Sequence, residues 1–291
     1  MKTTSWGVVA KWYDELLEQS GNTFQEKVIL PNILRIVDPK PEMPIFDIAC
    51  GQGYFTRAFQ KTGANVSGCD ISKELIDLAK EHTSSDTNTK TGAKSTVVSG
   101  SMVSLKPIAY YVAPAEKLPP LIKNFDVVTI VLAIQNISDM KKSFSEAFRA
   151  LKPGGRLVIV INHPIFRIPQ KTSWVWDEKS STQYRRIDAY MSDTQTEIDM
   201  NPGTNKNGTN KDSSGIDKGG VAKISAFGAK TVSFHRPLQS YFKALSSTGF
   251  AVTRLEEWIS HKQSQKGPRA TEEDRIRKEI PLFMCIEARK I

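Results

Sequence analysis

Gly51, Gly53, Asp47, Asp70 and His163 are the residues of this 291-residue chain whose types and spacing could do chemistry. A short apolar run over residues 45–50 breaks into the tight turn Gly51-Gln52-Gly53, and helix-forming residues follow. Backbone amides in such a strand–loop–helix can approach a ligand closely because no side chain intervenes. A second apolar step, residues 64–69, ends on Asp70, about where a ribose hydroxyl pair would sit if the glycine loop holds a nucleoside. A carboxylate can accept from both hydroxyls at once. Farther along, His163 stands between Asn162 and Pro164 at the end of the apolar stretch 157–161. Imidazole titrates near neutrality and proline fixes the backbone beside it, so His163 is the best-placed general base; the plainer reading is a hydrogen-bonding fixture.

The loop is not a dinucleotide fingerprint. Counting from Gly51 and Gly53, Thr56 stands where G-x-G-x-x-G places the third glycine, which lets helix and strand close up under a pyrophosphate. No Gly-Lys-Ser/Thr ending follows, which excludes a P-loop. A nucleoside without a phosphate tail remains. The order in which Asp47 opens D-x-x-x-G-x-G and Asp70 ends the next strand resembles the first motif of class I S-adenosylmethionine-dependent methyltransferases. Residues 125–132 resemble that family's fourth strand, and residues 147–159, with Lys152-Pro153-Gly154-Gly155, resemble the helix, turn and fifth strand that follow. The likeness covers residues 40–165 best and is closest to the small-molecule "type 11" group.

The resemblance implies S-adenosylmethionine as cofactor and S-adenosylhomocysteine as product. It implies that the loop at Cys50, Gly51 and Gly53 touches the aminoacyl part, that Asp47 orients that part directly or through water, that Asp70 takes both ribose hydroxyls, and that its neighbour Ile71 also binds the cofactor. After the third strand the family has an acid for the adenine amino group; this chain reads Ala113-Pro114-Ala115-Glu116, with proline in that place. Glu116, or backbone groups of Ala115 and Glu116, are the substitutes. Tyr13 and Tyr54 could face a sulfonium through cation–π attraction, with ordinary packing as the other reading. Gln135 and Asn136, just beyond the fourth strand, fall where relatives put acceptor-orienting groups. Methyl transfer aligns a nucleophile in line with the leaving sulfur and needs no metal, so none is expected.

The elements that must position these groups follow from periodicity. Residues 1–38 carry apolar residues at helical intervals and form an N-terminal helical cap; Pro39, Pro41 and Pro44 then deliver the chain extended into the first strand. A helix over residues 73–81, a polar loop over 83–95 and a third strand at 108–112 follow. Residues 164–230 interrupt the pattern as an insertion expected to act as a lid, with 201–220 expected to be mobile. Arg167, Trp174, Trp176, Tyr184, Arg185 and Arg186 in it could form a pocket for a planar or anionic acceptor, or pack the lid down. A helix over 234–245 and strands at 250–255 and 282–288 close the chain, with His235 and His261 on segments leading to the same face. The expectation is one α/β domain spanning 1–291, with a doubly wound, mainly parallel seven-stranded sheet of the Rossmann-like methyltransferase kind. Ligands in such sheets bind beyond the carboxyl ends of the parallel strands.

Composition bounds the function. With 39% hydrophobic and 24% charged residues the chain reads as ordinary globular protein. No apolar run nears 18 residues and the amino terminus lacks the build of a signal peptide, so the expectation is a cytoplasmic protein that does not span membranes. Cys50, Cys69 and Cys285 have no metal-site or disulfide spacing. The net charge of +9 invites a nucleic-acid partner. Its distribution favours a solvated basic surface: residues 1–161 hold 19 Lys and Arg against 16 Asp and Glu, and the rest 21 against 15. The reading is a methyltransferase acting on an N or O atom of a small polar or aromatic acceptor. The rivals are an RNA or protein methyltransferase, a non-catalytic S-adenosylmethionine-binding protein and a nicotinamide oxidoreductase. The oligomeric state is not legible.

Overall fold

The computed structural model describes residues 6–19, 21–85, 94–98, 101–200 and 229–291. At its centre is β1 (Pro44–Ile48), flanked in parallel by β2 (Asn65–Asp70) and β6 (Phe125–Val131). Outward on one side lies β5 (Ala109–Val112); on the other come β7 (Leu151–Asn162), then β13 (Phe283–Lys290) and β12 (Phe250–Trp258). The order β12-β13-β7-β6-β1-β2-β5, with β13 antiparallel to both neighbours, is the seven-stranded sheet expected. Its central strands are near-continuous apolar runs because helices cover both faces. On one face α5 (Met140–Ala150) and α6 (Leu238–Ser247) bury Phe144, Tyr241 and Leu245 against Phe46 and Ile130. On the other, α2 (Leu30–Val37) and α3 (Tyr54–Gln60) bury Ile33 and Phe59 against Ile45 and Val127.

Alternation along β1 sends Phe46 and Ile48 to the first face and Ile45 and Asp47 to the second. Asp47 therefore points into an apolar layer, with Thr129 of β6 as its register partner on one side and Gly68 of β2 on the other. The glycine there is required by space: an added Cβ would lie 3.0 Å from the Cys50 sulfur.

Several elements differ from the sequence expectation. The helix after β2 runs on through its polar end as α4 (Lys73–Ser85), and residues 86–93 of the expected loop lie outside the described residues. β3 (Lys94–Val98) and β4 (Ser101–Leu105) then pair as a hairpin. The Lys152-Pro153-Gly154-Gly155 turn belongs to β7: Phe125 pairs with Leu151 but Val127 with Arg156, so the turn is a bulge in the ladder, with Gly154 at φ +73°. Phe234 and His235 belong to a strand, and the helix after them waits until Leu238 because Pro237 is held extended at its cap.

The chain between β7 and α6 carries two antiparallel pairs. β8 (Thr172–Asp177) and β9 (Thr182–Ile187) form a hairpin; β10 (Thr194–Asp199) and β11 (Lys230–His235) form a ribbon. The stretch 201–220, expected to be mobile, lies outside the described residues. The cap is present as α1 (Ala10–Gln19) and α2, with a π-helical turn over Gln25–Ile29 leading into α2. A helix not foreseen, α7 (Ala270–Glu279), fills the connection between β12 and β13. Among the described residues no helix is long and apolar enough to cross a membrane.

Candidate active site

A cavity of about 110 Å³ opens at the carboxyl ends of β1, β2 and β6. Its floor is the loop Ala49-Cys50-Gly51-Gln52, its walls are Asp70, Ile71 and Leu75 on one side and Val131 to Ala133, Asn136 and Ile137 on the other, and Trp6, Tyr13 and Leu17 of the cap close over it. Two non-glycine residues here have left-handed backbone, Ala49 at φ +56° and Leu132 at φ +54°, each just past a strand. Such strain persists only where the surroundings impose it, and it collects at ligand sites.

The two loop glycines do different work. Gly51 has φ +57° and a Cβ built on it would meet nothing within 4 Å, so its bare backbone faces open space. Gly53 has φ +82°, and a Cβ there would sit 2.5 Å from the Tyr110 hydroxyl and 3.2 Å from Ala79. Gly53 therefore serves the packing of α3 against α4 and β5. Asp70 ties the loop to β2: its Oδ2 accepts from the Gly51 amide at 3.0 Å and its Oδ1 from the Ser72 amide at 2.8 Å. Each oxygen keeps a lone pair, so the carboxylate can still accept from two ribose hydroxyls. Burial raises its pKa and the backbone donors oppose the rise.

Asp47 is buried and accepts from Thr129 Oγ1 at 2.7 Å and Thr56 Oγ1 at 2.8 Å. Burial pushes it up to about 6, against the pull of these two hydroxyls. Tyr13 is pushed up to about 12, chiefly by burial of its hydroxyl, and the Cys50 thiol well above its ordinary value for the same reason. Trp6 meets Tyr13 edge to face at 5.3 Å. The cap is tied down by polar contacts: Asp14 Oδ1 lies 2.7 Å from His82 Nε2 of α4, and Glu18 accepts from Gln52 at 3.1 Å and from Arg57.

The structure thus brings together Tyr13, Asp47, Cys50, Gly51, Asp70, Ile71 and Asn136 around one cavity. Gly53 stands behind the loop. Gln135 turns away, donating to the Leu132 carbonyl at 2.7 Å, while Asn136 donates to the Val232 carbonyl at 2.9 Å and so binds the ribbon to this wall. Glu116 is half-buried beside a turn closed from Lys117 N to the Pro114 carbonyl, outside the lining.

His163 is buried and does not line the cavity. Its Nδ1 accepts from the Ile165 amide at 3.2 Å, which leaves the proton of the neutral ring on Nε2, 2.7 Å from Glu257. Burial lowers its pKa more than Glu257 raises it. The remaining residues lie away from the cavity as well. Arg167 donates to Asn162 at 2.9 Å and stacks over Phe283. Arg185 stacks over Trp174 and bonds the Phe166 carbonyl, holding the hairpin to its own base. Trp176 lies under Arg269, and the Gln183 amide donates to Glu272, so the hairpin is pinned to α7 and the loop before it. Tyr184 is exposed. His235 bonds the Tyr190 carbonyl at 2.8 Å, and His261 bonds Asn22 at 2.9 Å.

Sequence reasoning missed Trp6, Leu17 and Ile137, which carry no motif, named Gln52 only as part of the glycine turn, and gave Thr56 and Thr129 no role. Thr129 had a signal: it is the one hydroxyl in an otherwise apolar strand interior, Val127-Val128-Thr129-Ile130-Val131.

Fold and cavity together define a class: a doubly wound domain holding a phosphate-free nucleoside over its glycine loop. The open space at Gly51 and the spare lone pairs on Asp70 fit such a ligand. Residues 46–159 match the family model described as a methyltransferase domain. The chain is 25% identical to an S-adenosylmethionine-dependent methyltransferase from Mesorhizobium loti, with a TM-score of 0.58 over 89% of this chain and 96% of that one. It is 29% identical over 164 residues to a demethylmenaquinone methyltransferase of Streptomyces avermitilis, covering 54% of this chain and 61% of that protein. It is 32% identical over 123 residues to the ubiquinone/menaquinone biosynthesis C-methyltransferase UbiE of Geotalea daltonii, covering 41% and 46%. The chain therefore spans under two thirds of the curated relatives' lengths. The methyltransferase-domain match over residues 46–159 and the likeness to the Mesorhizobium loti protein support the class I S-adenosylmethionine-dependent methyltransferase superfamily, whose members use S-adenosylmethionine.

Proposed function

We propose that this chain is a cytoplasmic S-adenosylmethionine-dependent methyltransferase acting on a small, planar, hydroxyl-bearing acceptor held between the cap and the wall at Asn136 and Ile137. The observation that carries this reading is the kind of groups that line the cavity. Its described titratable residues are Asp47 and Asp70, already engaged at the donor end, and Tyr13, Tyr54 and Cys50, whose raised pKa values make them poor proton acceptors near neutrality. An acceptor suited to such a site loses its proton readily, as phenols, enols and hydroquinones do. The apolar and aromatic side chains Trp6, Tyr13, Leu17 and Ile137 suit a flat ring.

When bound, S-adenosylmethionine supplies a methyl carbon on a positively charged sulfur. The residues of this chain orient and exclude water: Asp70 and the Gly51 backbone hold the nucleoside, the cap shuts out solvent, and Asn136 keeps the ribbon against the wall. The acceptor enters as its anion, having given its proton to solvent before the cap closes over it; its electron pair forms the new bond to carbon and the carbon–sulfur pair goes to sulfur. A second reading, transfer to a ring carbon instead of oxygen or nitrogen, is favoured by the names of the quinone-methylating relatives; a hydroquinone anion is nucleophilic at carbon as well as oxygen.

Incubation with methyl-labelled S-adenosylmethionine and fractionated cell extract tests the proposal. Label in extractable small molecules is expected, and treatment with hydriodic acid, which releases methyl from an ether oxygen and leaves it on carbon, separates carbon from oxygen transfer. Label confined to RNA or protein would replace the acceptor reading, and binding without transfer to any fraction would leave a non-catalytic cofactor-binding protein.

A further inference from the structure

Asp47 lies in the middle of the sheet, in the apolar layer shared with Ile45, Phe59 and Val127, at 1% exposure. Thr129 reaches it from the neighbouring strand and Thr56 from the first turn of α3; both threonines are fully buried. A valine at either position would fill the same space, so the hydroxyls answer to the carboxylate. The charged and titratable groups that face Asp47 are Asp70 on β2, the Cys50 thiol in the loop, the Cys69 thiol on β2 and the Tyr110 phenol on β5. None of these is a cation. Arg57, one residue beyond Thr56, is turned to the Gln52 carbonyl and to Glu18. Without a cation, the two hydroxyl donors are what keeps a carboxylate charged at this depth.

We propose that Thr56 and Thr129 are positioning residues that hold Asp47 in its ionised form, so that the cavity binds the positively charged methyl donor in preference to the uncharged-sulfur product left after transfer. This rests on the cavity taking S-adenosylmethionine. A carboxylate attracts the ammonium of the aminoacyl part, which donor and product share, and in addition the sulfonium, which the thioether product lacks, so an ionised Asp47 adds more to donor binding than to product binding. Protonated Asp47 would lose that distinction. The pH at which the preference appears is then set by the hydroxyls, each of which shifts the balance between acid and carboxylate.

The test is calorimetric binding of S-adenosylmethionine and S-adenosylhomocysteine from pH 5 to pH 8 to the full chain, to Thr129→Val and to Thr129→Ser. In the unaltered protein donor affinity should rise as pH passes about 6, where Asp47 ionises, with product affinity changing less. Thr129→Val should move that rise upward by roughly one pH unit, weakening donor binding about fivefold at pH 6 and about twofold at pH 7, with product binding changing less at both. Thr129→Ser should restore the original profile, which a merely space-filling role would not require. Thr56→Val, on a separate element, repeats the measurement if Thr129→Val melts early. An unmoved midpoint in the valine variants, or equal losses for donor and product, overturns the inference. Failure of the unaltered chain to bind either ligand at any pH overturns the cofactor reading instead.

Discussion

The proposed donor side and the proposed acceptor side of this molecule are built by different means. The donor side is a set of strand ends: Asp47, Gly51 and Asp70 fall within 24 residues, and their positions follow once β1 and β2 pair in register. The acceptor side is assembled from Trp6 and Tyr13 of the cap, Asn136 beyond β6 and a ribbon that begins at Thr194. Parallel pairing fixes the first almost without help from the rest of the chain. The second depends on docking of separate segments, so it can vary without disturbing cofactor geometry.

The sharpest break of this comparison is Asp70→Ala. The carboxylate holds both the loop and the expected ribose, and charge-assisted hydrogen bonds are worth about 1.5–3 kcal/mol each, so S-adenosylmethionine affinity should fall roughly 100-fold or more by calorimetry. An effect under about threefold would remove Asp70 from the donor side. Next come the two glycines. Gly53→Ala puts a Cβ into Tyr110 and Ala79 and should cost about 1–3 kcal/mol of stability in chemical unfolding. Gly51→Ala meets no protein atom, so its stability cost should stay near the 1–2 kcal/mol of left-handed backbone, while donor affinity falls about tenfold because the methyl group stands in ligand space. If the two variants lose stability and affinity in the same proportion, the division of labour within the loop is wrong.

That division marks where the sequence stops being informative. Gly51 and Gly53 look alike in a motif; which one faces a ligand depends on Tyr110, about 60 residues on, and no spacing rule reaches it. The strands were legible because apolar runs and turns are local signals, whereas their mainly parallel seven-stranded arrangement was implied by the family resemblance. The bulge in β7 was not, since Lys152-Pro153-Gly154-Gly155 reads as a turn and only pairing with β6 makes it part of a ladder. His163 shows the same limit. The sequence placed it correctly at the end of a strand, but Ile165 and Glu257 decide that both ring nitrogens are occupied, and Glu257 lies 94 residues away. Thr56, legible only as a missing glycine, is a partner of Asp47 because α3 packs over β1.

His163 therefore offers a smaller but more discriminating experiment. Its pKa is depressed in the folded protein, so the folded state favours the neutral ring. The stability it contributes is present above the ordinary value near 6.5 and is lost as pH falls below it, where the unfolded chain gains a proton that the folded chain resists. Melting temperature should drop with pH in that window, and His163→Gln should flatten the drop. Turnover of the variant should stay within about tenfold, whereas loss of a general base costs on the order of 100-fold to 10,000-fold. A loss of that size with the melting profile unchanged would move His163 to the reacting atoms.

The smallest expected effect concerns adenine. Ile71 lines the cavity and is 50% exposed, so its side chain is open to a flat ligand face. Glu116 lies outside the lining, on a turn whose backbone is already closed from Lys117 to Pro114. Apolar contact with a ring should thus matter more here than an acid on its amino group. Ile71→Ala should weaken donor and product alike by about three- to tenfold, since both carry adenine and one lost side-chain contact is worth about 1 kcal/mol. Glu116→Ala should leave both within about twofold. The reverse order of losses would put the adenine amino group on Glu116, and the turn after β5 would then join the donor side despite the proline at 114.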